Sequence, residues 1–347
     1  MLNAGRLSAA RLAAFDALLA VVRGAHSDEA LIARCAELDA RDAGLAQEIV
    51  LGVLRRQLQL DFLIAHFGAP AKLDLPVRLA MRIGVYQLRH LDRVPRHAAV
   101  SESVELVKRA GKRSATGMVN AVLRKVTRDE IAWPDRATEL SCPGWLLDRW
   151  GARAETIARH ALTVPPSGMD PGAQSIVPLL ALEPEMSFLD LCAAPGNKTR
   201  QAMLAAPAIT VACDRSFRRL STVPGYRVLL DAASPLPFRS KFNRVLVDAP
   251  CSGTGTLARN PEIKWRLTPD DLPRQAVRQR RILEQALTVG HRIVYSTCSL
   301  EPEENEDVLR GLPVVETMRR WPGEDLGDGF FAAVLSGDEG AARQNAP

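Results

Sequence analysis

Aromatic residues are scarce in this 347-residue chain, at 5%, and histidines number only six. The six cysteines are Cys35, Cys142, Cys192, Cys213, Cys251 and Cys298. None forms a CxxC pair, and no histidine cluster lies beside them. That spacing excludes the usual zinc sites and a secreted disulfide framework, so no metal is expected, and a reducing cytoplasm is the expected compartment. No apolar run reaches the ~18 residues that a membrane span needs. The charge-free stretch from Gln201 to Cys213 stops well short, so no membrane partner is expected. The first fifteen residues carry Arg6 and Arg11 and no acid, as a transit peptide would. Their apolar period continues past Asp16, however, which reads as the first turns of an amphipathic helix.

The chain is 47% hydrophobic and 24% charged, enough for two ordinary cores. Its net charge of +5 is placed unevenly. Residues 1–140 hold 21 Lys+Arg against 16 Asp+Glu, whereas the remainder is balanced at 24 of each. Between Arg93 and Arg128 stand nine basic residues, Arg93, Arg96, Lys108, Arg109, Lys112, Arg113, Arg124, Lys125 and Arg128, against Glu102 and Glu105. Such a stripe is either a solvated helix face or a surface that neutralises nucleic-acid phosphates without reading bases.

Two textures divide the chain. Apolar residues recur at helical spacing over Leu12–Val22, Leu45–Leu54, Leu60–Phe67, Val77–Leu88, Val100–Val107 and Met118–Val126. Pro70, Pro76 and Pro95 fall between these segments, and Ser101 and Ser103 suit a first helical turn. The first half is therefore expected to be an all-α bundle. Prolines punctuate residues 132–186, with a short helix expected around Trp145–Ala161. After Met186, short β-rich runs alternate with helical stretches: Ser187–Cys192, Ile209–Cys213, Tyr226–Leu230, Arg244–Val247 and Arg292–Tyr295. That alternation predicts a parallel sheet covered by helices. Thr268-Pro269-Asp270-Asp271 reads as a helix start, with Thr268 as N-cap. The polar tail after Ser336 reads as disordered.

In a parallel α/β sheet, ligands bind beyond the carboxyl ends of the strands. Four groups fall there. Asp190 to Thr199 (D-L-C-A-A-P-G-N-K-T) leads from a strand through a turn of small residues into a helix. Small side chains admit a ligand to the backbone, and free N–H groups at a helix start suit a carboxylate. Asp214 ends the second strand, where a carboxylate can accept both ribose hydroxyls, and Asp231 ends the third, where it can bond an adenine amino group. Taken singly, each is more often a turn residue. Asp248 to Gly255 (D-A-P-C-S-G-T-G) follows the fourth strand. Ser296-Thr297-Cys298-Ser299 follows the fifth, with Glu301 to Asn305 opening the next helix. A single buried cysteine is usually inert. Two on converging loops, beside an aspartate and a nucleoside-type site, point instead to chemistry.

With Asn260–Trp265 (N-P-E-I-K-W) and Tyr295–Glu306, these motifs resemble the Nol/Nop/Sun family of RNA cytosine-C5 methyltransferases. Asp328 to Ala333 resembles that family's last strands. The first half resembles the NusB-type RNA-binding helical domain through 82–88, 94–100 and 119–125. The pairing is similar to the bacterial RsmB/Sun type, which methylates 16S rRNA. The resemblance implies a NusB-like helical bundle over 1–135, a shortened linker over 136–170, a Rossmann-like seven-stranded methyltransferase domain over 171–338 and a disordered tail over 339–347. It implies S-adenosylmethionine as cofactor, lined by Cys192, Ala193, Ala194, Pro195, Gly196, Asn197, Lys198, Asp214, Asp231 and Asp248. It assigns nucleophilic attack to Cys298, release to Cys251 and the cytosine edge to Asp248, with Lys198 nearby. The DNA cytosine methyltransferases use the Pro-Cys cysteine as nucleophile, which would reverse the two cysteine roles.

Three features depart from the family pattern. Asn197 stands where a second glycine is usual, and asparagine tolerates a left-handed backbone. The segment between Pro166 and Gln174 leaves no room for the family's small RNA-binding subdomain. Arg215–Val223 leaves little room for a helix. Two rival readings stay open: an RNA-binding, antitermination-like protein with a vestigial catalytic half, and a methyltransferase acting on tRNA.

Overall fold

The computed structural model describes residues 7–337. The expected disordered tail lies outside them, as does the start of the basic N-terminal segment. The chain divides into two compact units. One holds the residues up to Val164 together with Ala258–Trp265; the other holds Pro165–Leu257 and the chain from Arg266 onward.

The first unit is helical. Its main helices are Ala9–Val22, Ser27–Cys35, Ala40–Arg55, Gln57–His66, Leu75–His90, Arg96–Arg109 and Thr116–Lys125. The helix Ser27–Cys35 carries too few apolar residues to be read from periodicity. Local chemistry sets several starts. Asp39 accepts from the Asp42 N–H, Pro76 sits in the first turn of Leu75–His90, and Pro95 caps Arg96–Arg109. The Pro95 cap corrects the expected start near Ser101. Ser103 is buried mid-helix instead, donating to Ala99 O at 2.8 Å. The apolar stripes meet in one cluster built around Leu18, Ile49, Leu60, Met81, Ile83, Leu106 and Leu123. Within the segment 136–170 expected as linker, the single helix expected around Trp145–Ala161 is two, Gly144–Trp150 and Ala154–Ala161, broken at Gly151.

The second unit is a seven-stranded sheet: β1 Ser187–Asp190, β2 Ile209–Asp214, β3 Tyr226–Leu229, β4 Phe242–Asp248, β5 Gly290–Thr297, β6 Val314–Arg320 and β7 Phe330–Ser336. Their spatial order is β3-β2-β1-β4-β5-β7-β6. The first five are parallel, and β7 runs antiparallel between β5 and β6. Phe188, Leu189, Val245, Leu246, Val247, Ile293 and Val294 are wholly buried, as strands covered on both faces must be. Only the single-turn helix Phe217–Leu220 fits between β2 and β3. The helix expected to begin after Thr268 begins at Asp271 and runs to Val289. Thr268 instead donates its hydroxyl to the Asp271 carboxylate at 2.7 Å.

Because β2 lies on one side of β1 and β4 on the other, the chain reverses its winding between β1 and β4. Doubly wound sheets open their ligand crevice at this point, outside the strand carboxyl ends.

Candidate active site

The β1 loop begins at Asp190, which is fully buried. Its carboxylate accepts from Thr199 Oγ1 at 2.7 Å, and its pKa is pushed up to about 7 by burial. Asp190 thus ties the strand end to the helix Asn197–Ala202 and gives the loop a fixed exit. The loop's Ala193 N–H donates to Cys213 O at 2.8 Å. Gly196 carries the left-handed backbone, at φ +100°, and Asn197 is the first residue of the helix. The conformational load expected at Asn197 therefore falls on the glycine before it. Asparagine at 197 imposes no backbone strain.

Asp214 ends β2, with its carboxylate accepting from Ala194 N at 3.3 Å and Ser216 N at 2.8 Å. It draws the β1 and β2 loops together. Asp231 follows β3 and is exposed. Its carboxylate accepts from Ala233 N at 3.1 Å and lies 3.4 Å from Arg278. Cys192 is enclosed beside Asp190, Asp248 and Asp214, and burial with those charges pushes its thiol well up. It lines the loop as a small inert group.

Asp248 ends β4 opposite Ser296 of β5. Its carboxylate accepts from Lys198 Nζ at 2.7 Å and from Ser296 Oγ at 2.9 Å. Burial works against the Lys198 charge. The Asp248 carboxylate and its hydrogen bond outweigh it, so the ammonium pKa ends raised. The same ammonium lies 5.3 Å from the Phe330 ring centre.

The two cysteine loops converge: Cys251 Sγ and Cys298 Sγ are 3.4 Å apart. Backbone bonds hold the loops on either side, from Ala249 N to Ser296 O and from Gly255 N to Cys298 O, both 2.8 Å. Gly255 is required there, since a Cβ would fall 2.2 Å from Gly329 O and 2.9 Å from Cys298 O. The hydrogen bond with Cys298, burial and the Glu304 charge together push the Cys251 thiol well up.

Sequence reasoning missed Glu304. It falls in the segment Glu301 to Asn305 expected to open the next helix and carries no role there, yet it is fully buried at the end of the turn Pro302–Glu304. Gln279 was also missed, and Ser296 and Phe330, although inside recognised motifs, were given no role of their own. A carboxylate six residues after a strand-end cysteine was the one available signal.

The N-P-E-I-K-W segment groups with the helical unit. Lys264 is buried, donates to Arg55 O at 2.9 Å and is lowered by burial to about 7. Trp265 Nε1 donates to Leu54 O at 2.6 Å, and Arg55 reaches Ala258 O at 2.9 Å. These contacts make the segment structural within that unit.

The basic stripe splits in two. Arg96 donates to Val126 O and Arg124 O, and Arg128 to Leu88 O and Asp92. Lys108 pairs with Glu105 and Lys112 with Asp74. Arg93, Arg109, Arg113, Arg124 and Lys125 are exposed and donate to no partner among the described residues. No helix of the described residues is long and apolar enough to cross a membrane, and no three of their His, Cys, Asp and Glu side chains cluster as metal ligands would.

A seven-stranded Rossmann-like sheet, with a nucleoside-type crevice at its winding reversal, defines a methyltransferase domain following a NusB-type bundle. Comparison with known proteins agrees. Residues 8–128 match the NusB family, and residues 177–316 match the family described as 16S rRNA methyltransferase RsmB/F. Ribosomal RNA small subunit methyltransferase B of Vibrio cholerae is 30% identical, covering 94% of this chain and 97% of its own length. The protein of that name from Escherichia coli K12 is 31% identical over 85% of this chain and 90% of its own. The Vibrio alignment runs over 422 positions, longer than this chain, so that relative carries segments absent here. The solved structure described as PH0851 shares the fold, with a TM-score of 0.75 at 20% identity over 94% of this chain and 98% of that one. The chain belongs to the ribosomal RNA small subunit methyltransferase B family. It is an RNA methyltransferase whose cofactor is S-adenosylmethionine.

The residues present fit that cofactor. The small side chains of Ala193, Ala194 and Gly196 leave the backbone approachable, Asp214 ends β2 beside β1, and Asp231 follows β3, the next strand out.

Proposed function

We propose that this protein methylates C5 of a cytosine in 16S rRNA through a covalent bond between Cys298 and C6. The observation that carries this reading is the pair of cysteine sulfurs 3.4 Å apart beside the Lys198–Asp248 ion pair. C5 of cytosine is a poor nucleophile. When the Cys298 thiolate adds to C6, the C5=C6 electron pair moves toward N3 and makes C5 enamine-like. The Lys198 ammonium, kept charged by Asp248, meets the charge developing at N3, and the Asp248 carboxylate accepts from the 4-amino group. Bound S-adenosylmethionine supplies the electrophilic methyl group. Release then requires loss of the C5 proton to water. That C–H pair re-forms C5=C6, and the C–S pair returns to Cys298. Cys251, held as a thiol, donates a hydrogen bond to the departing sulfur.

Cys192 to Lys198, with Asp214, Asp231 and Asp248, line the cofactor crevice. The RNA backbone meets the outward cations Arg93, Arg109, Arg113, Arg124 and Lys125 of the helical unit, since the segments that lengthen the relatives are missing. The names of the relatives and of the matching family support 16S rRNA over tRNA. A vestigial catalytic half is disfavoured, because both sulfurs and the ion pair stand assembled.

The test uses Cys251→Ala protein mixed with small-subunit RNA and S-adenosylmethionine. A protein band shifted by covalent RNA on a denaturing gel is expected, and it should vanish in Cys251→Ala/Cys298→Ala. A shift that survives loss of Cys298 would overturn the assignment.

A further inference from the structure

Glu304 is the most heavily coordinated side chain around the two cysteines, and the reaction as proposed does not use it. Its Oε1 accepts from Ser252 N at 2.8 Å and Gln279 Nε2 at 3.0 Å. Its Oε2 accepts from Ser299 Oγ at 2.5 Å and from Ser252 Oγ. Ser252 follows Cys251 and Ser299 follows Cys298 in the chain, and the two hydroxyls are themselves 3.1 Å apart. The turn bearing Glu304 is anchored in turn, because the buried Tyr295 hydroxyl of β5 donates to Glu304 O at 2.6 Å. Gln279 also reaches Pro250 O at 2.9 Å, so one amide and one carboxylate grip residues 250, 252 and 299.

A buried carboxylate is costly unless its lone pairs are filled. Four donors fill them here, and three of the four come from the residues next to the cysteines. Tyr295 and Gln279 give it a fixed seat, so the carboxylate serves as a rigid link between two loops. The backbone bonds at Ala249 and Gly255 fix how far apart the loops run. The orientation of Cys251 between them depends on the hold on Ser252.

We propose that Glu304 is a positioning residue, which sets the Cys251 and Cys298 sulfurs in register by accepting hydrogen bonds from the serine that follows each. The role rests on the reading of those cysteines as the reacting pair. Its negative charge also helps hold Cys251 as a thiol.

The test reads sulfur register without needing RNA. Diamide takes one hydrogen from each thiol, becomes the hydrazine and leaves a Cys251–Cys298 disulfide, which peptide mass mapping follows in time. Glu304→Ala should cross-link at least tenfold more slowly than the native chain, and Glu304→Gln, which keeps one acceptor oxygen, within threefold of it. In methyl transfer, Glu304→Ala should lose kcat while KM for RNA stays within twofold. In Glu304→Gln the pH midpoint for Cys251 alkylation should move down, a shift that support of the fold alone would not produce. Should Glu304→Ala fail to fold, Ser252→Ala/Ser299→Ala carries the same cross-linking expectation. Native cross-linking rate together with native kcat in the variants would overturn the proposal. If cross-linking depends on Glu304 but the native chain methylates no cytosine, the reaction assigned above fails and the clamp stands. If Glu304→Ala forms the RNA adduct at the native rate, the clamp fails and the reaction stands.

Discussion

The two units bury polar groups in different ways. In the helical unit they are dispersed, and each is consumed locally. Arg11 donates to Gln87 at 2.6 Å and pairs with Glu102 at 2.9 Å, Arg82 grips Asp61 through two nitrogens, and Gln87 returns to Ile83 O. In the sheet unit they gather at one edge. Asp190, Thr199, Thr254, Ser296, Thr297, Ser299, Glu304 and Asn305 are all buried around the carboxyl ends of β1, β4 and β5. A dispersed buried polar group is met by a partner or two and joins one helix to the next. A gathered set costs desolvation at one place, and such concentration marks chemistry. Substitutions in the sheet unit's cluster should therefore lower rate with little loss of stability. Those in the helical unit should do the reverse.

Cys298→Ser is the most severe break of that contrast. An alcohol at 298 is far less nucleophilic than a thiolate, so methyl incorporation should fall by roughly 10⁴-fold or more, with the unfolding midpoint within about 1 °C of the native value. Retention of more than a tenth of the activity would dissociate the gathered cluster from the chemistry. Lys198→Met comes next. It removes the cation that lies 2.7 Å from the Asp248 carboxylate. A fall in kcat of about 10²–10³-fold is expected in single-turnover assays, and a change confined to KM would restrict Lys198 to binding.

The architecture was legible because the signals were strong and local. Strand runs between residues 187 and 295 fell within a few residues of β1 to β5, and each predicted catalytic residue lies at a strand end. The failures came from tertiary context. Ser101 and Ser103 looked like cap residues, but Pro95 had already started the helix. Asn197 looked like the strained position because it replaces a glycine, but Gly196 carries the turn. Glu304 sits in an acidic run of the kind that opens exposed helices, and only its long-range partners at 252 and 279 set it apart. Lys264 shows the same limit. Its motif belongs with the catalytic sequence, yet its partners Arg55 and Cys142 lie far back in the chain.

Lys264 sharpens the comparison through pH. Burial lowers its folded pKa to about 7 from 10.5. Below pH 7 the ammonium is charged in both states. Between 7 and 10.5 the unfolded chain holds a proton that the folded chain has released, so stability rises with pH across that window. The expected gain is ~2 kcal/mol from pH 7 to 9. Urea unfolding followed in the helical unit should show it, and Lys264→Met should flatten it. An equally steep rise in the variant would trace the effect to another group.

The smallest effect separates outward from inward arginines within the helical unit. Arg113 is exposed and has no partner among the described residues, whereas Arg96 is spent on two carbonyls near the end of Thr116–Lys125. Removing one phosphate contact lowers the slope of log K against log salt by about 1. Arg113→Ala should do that in RNA titrations and leave the unfolding midpoint unchanged. Arg96→Ala should cost about 1 kcal/mol of stability, because two carbonyls lose a charged donor, and should leave the salt slope as it is. If the two substitutions exchanged these effects, the RNA surface would lie on the face that Arg96 occupies, and the outward cations would be ordinary solvated charge.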